Sequence, residues 1–400
     1  MPSILLATAL LSLLIWVYLL TLRGGFWRSA ERLESPAGAR DRWPAVTAVM
    51  PARNEADVIA ESLASLLAQD YPGPLRVILV DDHSADGTAT VAEATAASSG
   101  RAERFTLLRA APLPKGWTGK LWALHQGSQQ AAAETEFLWF SDADIRQPPD
   151  ALRRLIAKAE SENRDLVSLM VALRCDSGWE RLLIPPFIYF FQKLYPFAWV
   201  NDPNKATAAA AGGCVLLRRA ALQRIGGIAA IRDALIDDCT LAAAVKAARS
   251  ADSQGIWLGL ATQAQSQAES QAESIRPYSG LGVIWDMVAR SAYNQLRHSP
   301  WLLAGTLVGM VLTYLVPPAL LLTWPWHHDG PAALTSALAW LLMAFSLLPT
   351  LRLYRQPLWL APLLPLAAAL YSAMTFDSAR RHWRGQGGRW KGRVQDPHAG

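Results

Sequence analysis

The chain has 400 residues, 52% hydrophobic and only 18% charged, against roughly 25% charged in an ordinary soluble protein. A formal net charge of +5 would suit nucleic acid, but the basic residues gather near the apolar ends, so an anionic membrane face is the expected partner and nucleic acid is not. The three cysteines, Cys175, Cys214 and Cys239, are far apart and lack C-x-x-C spacing, which argues against a disulfide framework and a zinc site.

From the N-terminus, Leu5 to Leu22 is an uncharged apolar run, near the ~20 residues a membrane-crossing helix needs. It has no basic region before it and no small-residue cleavage site after it, so residues 1–22 read as a retained anchor. Arg23, Arg28 and Arg32 open a charged linker over 23–44 and place the central part of the chain in the cytoplasm. Strands and amphipathic helices then alternate. Strands are expected at Ala45–Met50, Arg76–Val80, Arg104–Leu108, Phe137–Phe140 and Asp165–Leu173. The helices between them are Glu55–Gln69, Asp86–Ala97, Lys120–Ala133 and Asp150–Glu160. That order predicts an α/β layer with a mainly parallel sheet. Leu182–Val200 is apolar and aromatic but carries Pro185, Pro186, Lys193 and Pro196, which suits an interfacial segment better than a crossing. A strand at Gly212–Leu217, a helix at Ile236–Ala248 and a strand at Ile256–Ala261 complete the domain, taken as 45–298. QAQS, QAES and QAES in tandem mark 263–274 as a low-complexity insertion. Further apolar stretches lie near Trp301–Trp324, Ala332–Leu351 and Pro357–Phe376, within a C-terminal membrane region over 300–377. A full crossing by the last would export Arg380, Arg381, Arg384, Arg389, Lys391 and Arg393, so a re-entrant or interfacial stretch and a cytoplasmic basic tail over 378–400 are expected.

No G-x-G-x-x-G, Walker A, H-E-x-x-H or G-x-S-x-G is present, which removes support for dinucleotide dehydrogenases, P-loop NTPases, zincins and α/β-hydrolases. What remains is a set of charged clusters at strand ends and helix starts. Asp142 and Asp144 follow the strand Phe137–Phe140, and in an extended backbone residues i and i+2 share a side. Two convergent carboxylates suit a hard cation shared with substrate phosphates; the plain alternative is helix capping. Pro51, Arg53 and Glu55 follow the first strand, where a helix N-terminus favours anions; Asn54 would simply cap that helix. Asp81 and Asp82 follow the second strand, where an acid can bind a base or ribose, or merely shape a turn. Lys120 opens a helix against the dipole preference, a conflict a bound phosphate would remove. Asp237 and Asp238 begin a helix in a half-buried turn, and a carboxylate there can act as general base.

Taken in order, PARNE, VDDHSADGT, SDAD and LIDDCTL resemble the membrane-anchored family 2 glycosyltransferases. KGWTGKLWALHQG and RPYSGLGVIWDMVARSAYNQL sharpen the resemblance to the hopene-associated glycosyltransferases of bacterial hopanoid gene clusters. The resemblance implies a GT-A-type fold and inverting transfer from a nucleotide-sugar donor to a lipid acceptor, on a multi-pass protein of the bacterial inner membrane. It further implies that Asp81 and Asp82 contact the nucleoside, that Asp142 and Asp144 hold Mg²⁺ or Mn²⁺ on the diphosphate, and that Asp238 is the base. Asp237 stands where the family has Glu, and the family's Gln-x-x-Arg-Trp is absent as such, leaving Arg290 as the nearest basic candidate for the diphosphate. A polyprenyl-phosphate glycosyltransferase and a processive polysaccharide synthase stay open as alternatives, with a nucleotidyltransferase and a non-catalytic membrane scaffold ranked below them.

Overall fold

The computed structural model describes residues 3–33, 42–261, 272–278, 280–387, 389–390 and 393–394. Most of the insertion expected over 263–274, part of the linker, and Lys391 with the end of the basic tail lie outside the described residues.

The helices, in chain order, begin with α1 (Ile4–Thr21), α2 (Ile59–Leu67), α3 (Thr88–Ser98), α4 (Gly119–Gln129) and α5 (Ala151–Ser161). They continue with α6 (Gly178–Leu194), α7 (Phe197–Asn201), α8 (Arg219–Arg224), α9 (Asp237–Ala247), α10 (Leu281–Ala289) and α11 (Ala292–Gln295). The strands are β1 (Val46–Ala52), β2 (Leu75–Asp81), β3 (Phe105–Arg109), β4 (Phe137–Ser141) and β5 (Ile145–Arg146). After them come β6 (Leu166–Met170), β7 (Cys214–Arg218), β8 (Ile256–Leu260) and β9 (Glu273–Ser274). Every expected strand and helix of the α/β layer is present within a few residues of its predicted ends.

Seven strands form one sheet in the order β3-β2-β1-β4-β7-β6-β8. All neighbours are parallel except β7, which runs antiparallel to β4 and to β6. Alternate residues of each strand face opposite layers. In β4, Phe137 and Trp139 pack with Ile59, Leu63 and Leu66 of α2 and Leu152 and Leu155 of α5. Leu138 and Phe140 pack on the other side with Leu121 and Leu124 of α4 and Leu241 and Val245 of α9. Both faces are covered, so the strands read as continuous apolar runs rather than alternating ones. Gly127 lets α4 lie directly on the sheet, because a Cβ there would collide with the Val49 side chain.

The described part of the linker is tied to the sheet edge: the Leu260 amide donates to the Glu31 carbonyl at 2.8 Å, and Leu33 is buried in the core. The apolar ends form a second layer. Among the described residues four helices are long and apolar enough to cross a membrane: Ile4–Thr21, Pro300–Leu322, Gly330–Leu353 and Leu358–Trp383. The last is longer than the re-entrant stretch expected there.

The two layers meet on α6. A capping box of Ser177 and Glu180 starts it, and the helix continues through Pro185 and Pro186. Ile188 joins the sheet core, Tyr189 joins Trp16, Tyr314 and Met343 among the apolar helices, and Leu183 and Ile184 pack with Ala367 and Tyr371.

Candidate active site

The carboxyl ends of β1, β2 and β4 lie side by side, because β1 sits between the other two in register. Loops at these ends carry most of the predicted residues, where open α/β sheets place their ligands.

The loops after β1 and β2 are laced into one shelf. The Asp82 amide donates to the Ala52 carbonyl at 2.8 Å, and Arg53 Nη1 donates to the Asp82 carbonyl at 2.6 Å. The same guanidinium lies 3.6 Å from the buried Asp82 carboxylate. Asn54 exchanges two hydrogen bonds with Ser84 and Ala85, each 2.9 Å, while holding a left-handed φ of 51°. The Glu55 amide donates to the Thr88 hydroxyl at 2.8 Å, and the Ala56 amide to Asp86 at 3.0 Å. Asn54 thus stitches two loops together instead of capping α2, whose cap is Val58. Asp81 accepts from the Ser84 amide at 3.2 Å.

Beyond the shelf, Asp142 follows the end of β4, but the backbone leaves the extended form there. Residues 142–144 make a turn, with the Ile145 amide donating to the Asp142 carbonyl at 3.2 Å. The expectation that Asp142 and Asp144 share one side of an extended strand is therefore corrected: the buried Ala143 and the turn aim the two carboxylates at different partners. Asp142 meets Lys120 at 2.9 Å, and Asp144 meets Arg276 at 2.9 Å. They remain electrostatically close. Burial raises the Asp142 pKa, Lys120 opposes that, and Asp144 raises it further.

Lys120 stands in the first turn of α4, whose N-cap Thr118 accepts from the Leu121 amide. Its ammonium also lies 3.1 Å from Asp237. Burial works against the charge, but Asp142 and Asp237 outweigh it and hold Lys120 protonated well above the usual lysine range. The unfavourable position at a helix start is thus offset by protein carboxylates.

Asp237 and Asp238 open α9. Asp238 Oδ2 accepts from the Gly212 amide at 2.8 Å, and Oδ1 accepts from the Cys239 amide at 2.7 Å. Burial and the neighbouring Asp237 push its pKa up to about 6, against the pull of Lys120 and the two amides. A carboxylate oxygen retains accepting capacity beyond one amide bond, and a pKa near neutrality suits a general base. Lys120, Asp142, Asp237 and Asp238 line one cavity together with Pro51 and Gly212, and Leu124, Ile231 and Leu241 form its apolar wall.

Arg276 is a site residue that sequence reasoning misses. It follows β9, which pairs antiparallel with β5 just beyond Asp144. Its Nε donates to Asp144 at 2.9 Å and its Nη2 donates to the buried Glu55. The arginine therefore ties the turn after β4 to the loop after β1. The signal lies in RPYSG, at the head of the stretch that holds Arg290, but 132 residues separate it from Asp144. Arg290, the residue expected in this role, is exposed at the C-terminal end of α10. Among the described residues its side chain makes no hydrogen bond or ion pair with these acids.

No group of three or more His, Cys, Asp and Glu side chains converges as a preformed metal cage among the described residues. The donor chemistry nevertheless fits Mg²⁺ or Mn²⁺. Asp142 and Asp144 offer hard oxygens, their mutual repulsion would be relieved by a cation, and such ions commonly take only one or two carboxylates plus substrate phosphates.

A family model described as Glycosyl transferase family 2 matches residues 47–226, and one described as Glycosyl transferase family group 2 matches residues 139–373, more than half of the chain. The chain is similar to an N-acetylglucosaminyltransferase of Rhizobium leguminosarum bv. viciae, at 34% identity over 116 residues, which is 29% of this chain and 25% of that protein. It is 42% identical over 59 residues to an N-acetylglucosaminyltransferase of Mesorhizobium japonicum, covering 14% of this chain and 13% of that one. The match thus spans a quarter or less of those relatives' length. Among solved structures, the mannosyltransferase PcManGT from Pyrobaculum calidifontis, in complex with GDP-Man and Mn2+, is 21% identical with a TM-score of 0.52. That likeness covers 95% of this chain and 99% of the other. It shows a GT-A-type fold, in keeping with the mainly parallel sheet. With the matched region exceeding half its length, the chain belongs to glycosyl transferase family group 2.

Proposed function

We propose that the protein transfers a sugar from a nucleotide-diphosphate sugar to the hydroxyl of a lipid-type acceptor, in a single inverting displacement at a membrane. The observation that carries this reading is the state of Asp238, a carboxylate held by two backbone amides with its pKa pushed up to about 6, in one cavity with Lys120 and Asp142. Asp238 accepts the proton of the acceptor hydroxyl as the new carbon–oxygen bond forms at the anomeric carbon. The bond from that carbon to the diphosphate oxygen breaks, and the nucleoside diphosphate leaves. Lys120 and Arg276, which hold Asp142 and Asp144, are placed to take oxygens of the diphosphate. A divalent cation on Asp142 and Asp144 would supply Lewis-acid stabilisation of the departing charge. Asp81, Asp82 and Arg53, on the shelf beyond β1 and β2, take the nucleoside, and Asp237 keeps Lys120 in place.

A lipid acceptor is supported by α6, which joins the sheet core to the four apolar helices. The hopanoid class rests on resemblance alone. The curated relatives are named N-acetylglucosaminyltransferases, so nucleotide-linked N-acetylglucosamine heads the donor panel, followed by GDP-mannose. The deciding experiment is a thermal-shift screen of the full chain in detergent against nucleotide-sugars with Mg²⁺ or Mn²⁺, followed by turnover with the binder. A ligand that binds only the native state must raise Tm. No response to any donor rejects the reading.

A further inference from the structure

The mechanism leaves Lys193, a half-buried cation, unused. It stands in the last turn of α6, and its ammonium donates to the Tyr314 hydroxyl at 2.9 Å. It also lies over the rings of Phe190 and Tyr314, 5.3 and 4.7 Å from their centroids. Tyr314 belongs to a π-helical turn, Val311–Leu315, inside the apolar helix Pro300–Leu322. Such turns recur at functional sites.

A second cation stands close by. Arg23, just past the end of α1, donates Nε to the Lys193 carbonyl at 3.2 Å and Nη2 to the Leu194 carbonyl at 3.3 Å. Its guanidinium stacks 4.9 Å from the Trp199 ring centroid. Among the described residues no carboxylate pairs with Lys193 or Arg23. Burial and Arg23 push the Lys193 pKa down to about 8. The C-terminal turn of α6 supplies only a partial negative charge. Two like charges at a half-buried junction therefore have no acid among the described residues to balance them. Donors remain for an anion: a lysine has three and an arginine five, of which the contacts above take one and two.

We propose that Arg23 and Lys193 form a binding site for the phosphate of an anionic membrane lipid. The location argues for a lipid over a free ion. The pair sits where α1 ends and α6 meets an apolar helix, so a ligand held there has aromatic and aliphatic neighbours beside its charged group. A guanidinium and an ammonium together give a fork and a point charge for phosphate oxygens. The proposal rests on the membrane reading above, and not on the identity of the donor or acceptor.

The test reconstitutes the full chain into phosphatidylcholine nanodiscs with and without phosphatidylglycerol, alongside Lys193→Met and Arg23→Gln. Disc incorporation is scored first, so failure of the membrane reading shows as a chain that stays out of the discs. For the incorporated protein, phosphatidylglycerol is expected to raise Tm, and native mass spectrometry should show each variant binding it roughly tenfold more weakly, as for one lost charge-assisted hydrogen bond. Equal phosphatidylglycerol binding by wild type and both variants overturns the site. So does a loss of Tm in the variants that is the same in both kinds of disc, which would mark a structural contact only. An equal Tm rise from inorganic phosphate in phosphatidylcholine discs would assign the site to a free anion instead. Should Lys193→Met fail to fold, Arg23→Gln carries the same comparison.

Discussion

The Gly212 amide donates to Asp238 at 2.8 Å, and the absence of a side chain at 212 is what brings backbone, carboxylate and Lys120 together. A Cβ at 212 would lie 3.0 Å from Lys120 Nζ and 3.4 Å from Asp238 Oδ2. Lys120 is long and can withdraw, so Gly212→Ala is expected to fold with little change in Tm. Its ammonium would move off Asp142 or Asp237, and kcat should fall about tenfold or more. Unchanged kcat in a folded variant would show that the position of Lys120 is immaterial to the reaction.

The raised pKa of Asp238 has consequences of opposite sign for activity and stability. A general base at this position must be ionised, so the proposed role predicts that kcat/KM rises with pH and reaches half its plateau near pH 6. Asp238→Asn should lose about 10²–10⁴-fold in kcat and keep donor affinity. For stability, the folded state holds the proton more tightly than the unfolded chain, so this group's contribution is greatest below the unfolded pKa and declines as pH rises through about 6. Asp238→Asn offers one oxygen where two amides donate, so it loses a hydrogen bond at any pH, but its Tm relative to wild type should improve as pH rises from 4 to 7. A pH profile of the rate without an acid limb, or a variant with full activity, would sink the base assignment.

Arg276 joins Asp144 to Glu55. Replacing it by methionine removes two charge-assisted hydrogen bonds, for an expected cost of about 1–3 kcal/mol, and raises the donor KM more than it lowers kcat. Arg276→Lys should recover stability in part but not the two-pronged contact. Equilibrium unfolding and steady-state kinetics on the same preparations separate the two effects. Wild-type donor KM in Arg276→Met would exclude a role in diphosphate binding.

Chelation gives the test of the carboxylate pair. EDTA should weaken donor binding, and added Mg²⁺ or Mn²⁺ should restore it. Asp142→Ala should bind donor weakly with or without metal, because one of two expected oxygen ligands is gone. Metal-dependent binding that survives in Asp142→Ala would reject the cation site.

Much of the site is legible locally. Strand ends and helix starts announce themselves by apolar runs that meet charged or turn-forming residues, so Asp81–Asp82, Asp142–Asp144 and Asp237–Asp238 stand out as clusters within a few residues of structure. The turn at 142–144 is not legible, because nothing in SDAD distinguishes an extended continuation from a reversal. That choice is made by Ala143, whose carbonyl accepts from Ser62 of α2 at 2.5 Å. Arg276 and Arg290 lie in one stretch, RPYSGLGVIWDMVAR, and spacing alone favours neither.

By itself the sequence determined the α/β layering, the apolar ends and the residue types available for chemistry, since hydrophobic period and turn composition act over a few residues. The tertiary structure alone decided which charge meets which. Lys120 joins Asp142 and Asp237, Arg276 joins Asp144 and Glu55, and Arg23 sits beside Lys193 with no acid between them among the described residues. Those pairings depend on the order of strands in the sheet and on where α6 docks, and Coulomb interactions at about 3 to 4 Å follow position in space, not distance along the chain.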